Sequence, residues 1–482
     1  MLNKYKSQID NMSKSLSIAL NHLLKTNETE LIELINEAVT AINNVLKQNN
    51  CTQAIDKGIQ FLSQLNNPDN KESLPTALDE YLSDINNIPT TYKVVFIAEL
   101  SSRWDTLESI YHQFAKDDMF ETEIVIVPVV RRDKQWNSNF IQDYNDYLTP
   151  LGIPHTHYES YSLKNDKPDI TFFCLPYDSD RPSEYHLANI RRHSGYMVYI
   201  PYAAVIHRFE EKHLLKHSEV MKGAIHVRSL VDAFIATGDH MLDDMRFMTG
   251  RDNKLIPLGS PKVDFLLNKI NCEKAKYAGQ EHKIAGKKTF FLNTHFRPGV
   301  LGDSGFYDLF EFIVDYFNRN EDIALIWRPH PNTFLFIKSH KPEYNEKLKT
   351  LMDKMENCPN IIIDTNQNHV AAYVNSHAVI SHLSSIVSLA IAIDKPTFIL
   401  DSYTNEQKED TQPQPITYLP CFGLKTESAP DYNLIINFIN DIKNDIDTHK
   451  EKRQKLCKYM FNNTDGTCGQ EIYKYVKKEI LK

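Results

Sequence analysis

From Thr91 onward the chain alternates short apolar runs with amphipathic stretches. YKVVFIAEL, EIVIVPVV, DITFFCLPY, YMVYIPYAA, DAFIATG and KLIPLGS are brief, mostly unbroken apolar segments with polar or Gly/Pro punctuation. Strands buried on both faces read this way, because helices cover both sides of a parallel sheet. The pattern predicts a doubly wound α/β unit over 92–265. A polar, basic, aperiodic stretch, NKINCEKAKYAGQEHKIAGKK, predicts a linker near 268–288. The alternation then restarts with KTFFLNTHF, a helical FYDLFEFIVDYF, IALIWRPHP, NIIIDT, AVISHLSS, a helical IVSLAIAI and PTFIL. That is a second α/β unit. From about Asp431 two or three amphipathic helices follow.

Residues 1–88 have another texture and hold no convincing strand. Leu31, Ile35, Ala38, Ile42 and Val45 recur at helical spacing behind Asn27 and Glu30, a capping-box pattern. Ile55, Ile59 and Leu62 repeat it behind Asn50 and Gln53. Leu74, Leu78, Tyr81, Leu82 and Ile85 begin near Pro75, a residue suited to a first helical turn. The expectation is a bundle of antiparallel helices over 1–88, Rossmann-like units over 89–267 and 289–482, and a linker over 268–288 between them. In open parallel sheets ligands bind outside the carboxyl ends of the strands. With two such sheets the natural site is the cleft between them.

Composition narrows the function. At 482 residues, 41% of them hydrophobic, the chain has material for two to four domains. A net charge of −9 argues against a nucleic-acid partner. The bundle region is acidic too, with seven Lys against eleven Asp or Glu over 1–90, a poor match for anionic lipid. No apolar run approaches the length of a membrane span, and MLNKYKSQIDNMSK lacks the apolar core of a signal peptide. The seven cysteines are odd in number, scattered and never spaced C-x-x-C. They read as reduced thiols in a cytoplasm. H-E-x-x-H, paired cysteines and a calcium loop are absent, as are the P-loop, G-x-G-x-x-G and G-x-S-x-G motifs. No metal and no cofactor are expected.

The candidate chemistry collects just after strands. Asn293, Thr294, His295 and Arg297 follow FFL. Arg328, His330 and Asn332 follow IALIW. Ser381, His382, Ser384 and Ser385 follow AVI, and the two serines open a helix. A helix N-terminus offers N–H groups and a dipole to a phosphate, and arginines offer forked cationic donors. Each residue has a plainer role as cap, loop residue or ion-pair partner. Their joint placement at successive strand ends favours a shared site. In the first unit His207 is the leading general base. His186, His193, His226, His240, Glu99 and Asp105 are its rivals.

WRPHP, SHLSSIVSLAIAIDKPTFIL and the closing FNNTDGTCGQEIYKYV resemble the CDP-glycerol glycerophosphotransferase family, the teichoic-acid polymerase-like enzymes. SSRWDTLESIY, KPDITFFCLPYD, YMVYIPY and LGSPKVD extend the likeness to stand-alone bacterial members, over roughly residues 90–480. The resemblance implies a GT-B fold, with the nucleotide donor in the C-terminal unit and the acceptor approaching from the N-terminal one. It implies that His330 contacts the donor diphosphate, that Ser384 and Ser385 form the phosphate-binding helix start, that Arg297 lies in the phosphate-binding strand end, and that His207 is the base. Two positions depart from the family pattern. His382 stands where an acid is common, and His207 precedes Arg208 where a glycine is common.

The implied reaction transfers a polyol phosphate, glycerol phosphate first, from a CDP-linked donor to a hydroxyl of a glycan or polyol-phosphate acceptor. Two alternatives remain: a GT-B glycosyltransferase using a nucleotide-sugar, and a non-catalytic assembly factor for surface-polymer synthesis. The expected location is cytoplasmic. Peripheral association with the inner membrane face and a homo-oligomer through the N-terminal helices stay open.

Overall fold

The computed structural model describes residues 3–26, 28–129, 145, 147–202, 226–242, 254–271, 277, 279–296, 304–366, 369–409, 413–426 and 430–482. Four helices come first: α1 (Asn3–Thr26), α2 (Glu30–Gln48), α3 (Thr52–Leu65) and α4 (Leu74–Asn86). Ile35, Val39, Ile42 and Leu46 of α2 and Phe61 and Leu65 of α3 share a core with Tyr81 and Ile85 of α4. The capping details differ from expectation. Thr29 and Cys51 are the N-cap residues of α2 and α3, and neither makes a side-chain cap bond. Asn27 lies outside the described residues. Helix α1 was not foreseen. It buries only Ile9, Leu16, Leu20 and Leu23 along 24 residues, too sparse a stripe to stand out from its polar sequence.

The first sheet holds seven parallel strands: β1 (Tyr92–Ala98), β2 (Phe120–Ile126), β3 (Thr156–His157), β4 (Ile170–Phe173), β5 (Tyr196–Tyr199), β6 (Ala233–Ala236) and β7 (Leu255–Pro257). Their spatial order is β3-β2-β1-β4-β5-β6-β7. The second sheet is β8 (Lys288–Thr294), β9 (Ile323–Pro329), β10 (Ile361–Ile363), β11 (Ala378–Ser381) and β12 (Thr397–Ile399). Its order, β10-β9-β8-β11-β12, repeats the first five positions of the other. Successive side chains of a strand face opposite ways. Phe290 and Leu292 thus enter one core cluster and Phe291 another. Val94 and Phe96 separate from Val95 and Ile97 in the same manner.

Three helices close the chain: Asn433–Lys443, Lys450–Met460 and Cys468–Ile480. The last, expected with the second unit, crosses to the first. Cys468, Ile472 and Val476 pack in one cluster with Phe96, Phe114 and Phe172. The Asp264 carboxylate accepts the N–H groups of Cys468 and Gly469 at 3.2 and 2.7 Å, satisfying two open donors at the helix start. Gly469 is needed there, because a Cβ would fall 2.5 Å from the Ser109 hydroxyl.

The bundle joins the first sheet at its amino edge. Asn3 donates to Asp169 at 2.8 Å and Lys4 to the Asp166 carbonyl at 3.0 Å, both just before β4. The strand ends that carry the candidate site belong to the second sheet, at its carboxyl edge. Among the described residues no helix is long and apolar enough to cross a membrane.

Candidate functional site

The strand order reverses between β8 and β11 in the second sheet. At such a switch point the flanking connections diverge and leave a crevice at the carboxyl edge. Asn293 is in register with Arg328 on one side and with Ser381 on the other. Three expected residues therefore occupy one rung. The Asn293 amide donates to the Arg328 carbonyl at 2.9 Å, and its oxygen accepts the Ser381 hydroxyl at 3.3 Å. Ser381 Oγ also lies 3.4 Å from Ser384 Oγ. Thr294 faces the core instead, its hydroxyl accepting the Trp327 indole N–H at 3.1 Å.

His330 follows directly. Its N–H donates to the Thr294 carbonyl at 3.1 Å, and its Nδ1 accepts the Asn332 N–H at 3.1 Å. An accepting Nδ1 leaves the neutral ring's proton on Nε2. Burial, then the Arg328 charge, lowers its pKa from 6.5 to about 4. At neutral pH His330 is thus an uncharged Nε2–H donor. The ring packs at a tilt against Phe296 and His295, with centroids 4.3 and 5.2 Å away.

Arg328 is less open than the sequence suggested. Its Nη1 meets Asp364 at 3.1 Å and the Asn366 carbonyl at 2.8 Å. Ser384 is first a cap, its hydroxyl accepting the Ile386 N–H at 3.3 Å. The helix it starts, Ser385–Ala392, is buried from Val387 onward and apolar on all sides, so its first turn is its polar end. Ser385 opens that turn and is half-buried. His382 is buried beside Phe306, with ring centroids 6.1 Å apart. The carboxylate ordering this loop belongs to Asp401, which accepts the Leu383 N–H at 2.6 Å. Arg297 and His207 lie outside the described residues.

In the first unit the carboxylate rivals to His207 are both engaged. Glu99 and Arg181 form a fully buried pair at 3.0 Å. Asp105 pairs with Lys262 at 2.9 Å, and His369 of the second unit stands 3.9 Å from the same carboxylate. This contact joins the two halves beside Arg328, whose charge adds to burial and Lys262 in depressing the His369 pKa. His226 is exposed and meets Asp178 at 3.0 Å.

No protein-family model matches the chain, and no curated protein matches it. Solved structures do. The S. aureus MnaA–UDP co-structure aligns with a TM-score of 0.55 at 13% identity, covering 81% of this chain and 97% of that one. A putative UDP-N-acetylglucosamine 2-epimerase from Listeria monocytogenes gives 0.55 at 15% identity, covering 81% and 96%. The wall teichoic acid polymerase TagF gives 0.49 at 13% identity, covering 89% and 98%. The fold is GT-B-like.

Sequence reasoning missed Asp364, Asp401, Lys262 and His369. The first two carried a usable signal, since each directly follows an apolar run (IIID and FILD), as the chosen residues do. Lys262 and His369 carried none, because their partner, Asp105, is remote in sequence.

Proposed function

We propose that the protein is a transferase that moves a polyol phosphate, glycerol phosphate first, from a CDP-linked donor to an acceptor hydroxyl on a glycan or polyol phosphate. The observation that carries the nucleotide half of this reading is the Asn293–Arg328–Ser381 rung at the switch point, beside the start of a buried helix. The choice of CDP-polyol over other donors rests on the resemblance of WRPHP and SHLSS to the glycerophosphotransferases.

The acceptor oxygen attacks the β-phosphorus of the donor and loses its proton to a base. The bond from that phosphorus to the bridging oxygen breaks. CMP leaves with the bridging oxygen, and a phosphodiester forms. His330 donates Nε2–H to a diphosphate oxygen without needing to be charged. The first turn at Ser385 and the Arg328 guanidinium stabilise charge growing on the leaving CMP. His207 is the base this reading assigns, on the family resemblance alone.

A nucleotide-sugar reaction is the second reading, favoured by the UDP named with the S. aureus structure. Calorimetric titration with CDP-glycerol, CMP and UDP-N-acetylglucosamine separates the two. Cytidine-selective binding, weakened about tenfold or more in His330→Ala at unchanged Tm, is the expected result. Selective uridine binding would move the assignment to sugar chemistry. Equal losses of Tm and affinity would remove His330 from the site.

A further inference from the structure

The first sheet has its own switch point, between β1 and β4. The chain leaves β1 there through the short 3-10 helix Ser101–Thr106, which carries Arg103. The Arg103 guanidinium lies over the ring of Tyr202, 4.5 Å from its centroid, in the segment that follows β5. One of its nitrogens, Nη1, is sealed from solvent and meets no acceptor among the described residues. The carboxylates closest in sequence are engaged elsewhere, Glu99 on Arg181 at 3.0 Å and Asp105 on Lys262 at 2.9 Å. Tyr177, which follows β4, adds no counter-charge. Burial, then Tyr202, pushes its phenol pKa up and keeps it protonated.

Arg103 is thus a permanent cation on an aromatic platform, with a buried donor and no counter-ion among the described residues. A buried N–H without a partner costs free energy. The planar guanidinium fork matches a carboxylate or phosphate edge. Two residues further on, Asp105 approaches His369 of the donor half at 3.9 Å, so the segment borders the cleft.

We propose that Arg103, on its Tyr202 platform, binds an anionic group, phosphate or carboxylate, carried by the acceptor. That the anion comes with the acceptor and not the donor rests on the donor assignment made above.

Glycerol 3-phosphate, lactate and uncharged glycerol are titrated separately into the full-length protein and into Arg103→Gln, Arg103→Lys and Tyr202→Leu. CMP is titrated as an independent probe, and the Tm of each variant is recorded. Binding of glycerol 3-phosphate or lactate is expected to weaken roughly tenfold or more in Arg103→Gln. It recovers in part in Arg103→Lys, which keeps the charge but loses the fork. Tyr202→Leu reads the same site with the charge intact and is expected to weaken the anion by a smaller factor. CMP binding stays unchanged throughout. Anion affinity unaltered in Arg103→Gln and Tyr202→Leu would overturn the site. CMP weakened in step with the anion, at wild-type Tm, would give the group to the donor and overturn the acceptor assignment. Failure of every nucleotide to bind the wild type, with anion binding still dependent on Arg103, would sink the donor reading and leave the anion site standing.

Discussion

The two α/β halves share a strand order, yet their crevices are built in opposite ways. In the second, the described cation at the crevice is already paired, Arg328 with Asp364 at 3.1 Å. Among the described residues, the groups on and next to its rung are uncharged: the Asn293 amide, the Ser381 hydroxyl and a neutral His330. In the first, charge is extreme in both senses. Glu99 and Arg181 cancel in a fully buried pair, while Arg103 meets no carboxylate among the described residues. Topology decides where a ligand of an open sheet sits. The side chains at the strand ends decide what charge it carries. One topology used twice therefore places a hydrogen-bonding crevice in one half and a cationic one in the other, among the described residues.

The largest effect should come from breaking the buried pair of the first half. Arg181→Leu leaves the Glu99 carboxylate wholly buried beside the Cys174 thiol at 3.4 Å. A cost of about 3–5 kcal/mol is expected from denaturant unfolding. Converting both partners, Glu99→Leu with Arg181→Leu, should recover most of it. No recovery would mean that the pair orients the crevice through packing and not through its charge.

Asp364→Asn makes the second crevice resemble the first, because it strips the counter-charge from Arg328. Arg328 retains the Asn366 carbonyl at 2.8 Å. The stability cost should therefore stay near 2 kcal/mol, the range for a charged hydrogen bond. CMP binding should tighten several-fold as the guanidinium becomes free for phosphate. Weaker CMP binding would show that Asp364 is needed to aim Arg328 and that neutralisation is incidental.

Much of the architecture beneath this contrast was legible in the residues themselves. Both sheets announce themselves because burial on two faces demands unbroken apolar runs, and Asn293, Arg328, His330 and Ser381 stand where those runs stop. What was hidden is what needs distance. Strand β3 is two residues, Thr156–His157, with no apolar run to mark it. The last helix shows an amphipathic face but not which sheet receives it. Its destination depends on Asp264, some 200 residues earlier, and on Asp117, which takes the Tyr473 hydroxyl and Lys477 ammonium. The engagement of Arg328 by Asp364 was equally silent. An arginine after a strand reads the same whether its charge is cancelled or free.

The smallest expected effect is one of pH, and it tests whether the second crevice is neutral as built. Burial and Arg328 hold folded His330 near 4, below the 6.5 of an unconstrained imidazole. Between those values the unfolded chain binds a proton that the folded chain refuses. Stability due to this group is complete above pH 6.5 and declines as pH falls through about 4. His330→Gln should remove that part of the acid slope, about 1 kcal/mol once partial solvent access is allowed for. His112, His369, His377 and His449 are lowered by burial too, so only the difference between wild type and variant isolates His330. A bound phosphate would favour the imidazolium and reverse the sign. Relative to His330→Gln, wild-type CMP affinity should then gain as pH falls toward about 4. A parallel rise in both proteins would show that His330 does not touch the phosphate.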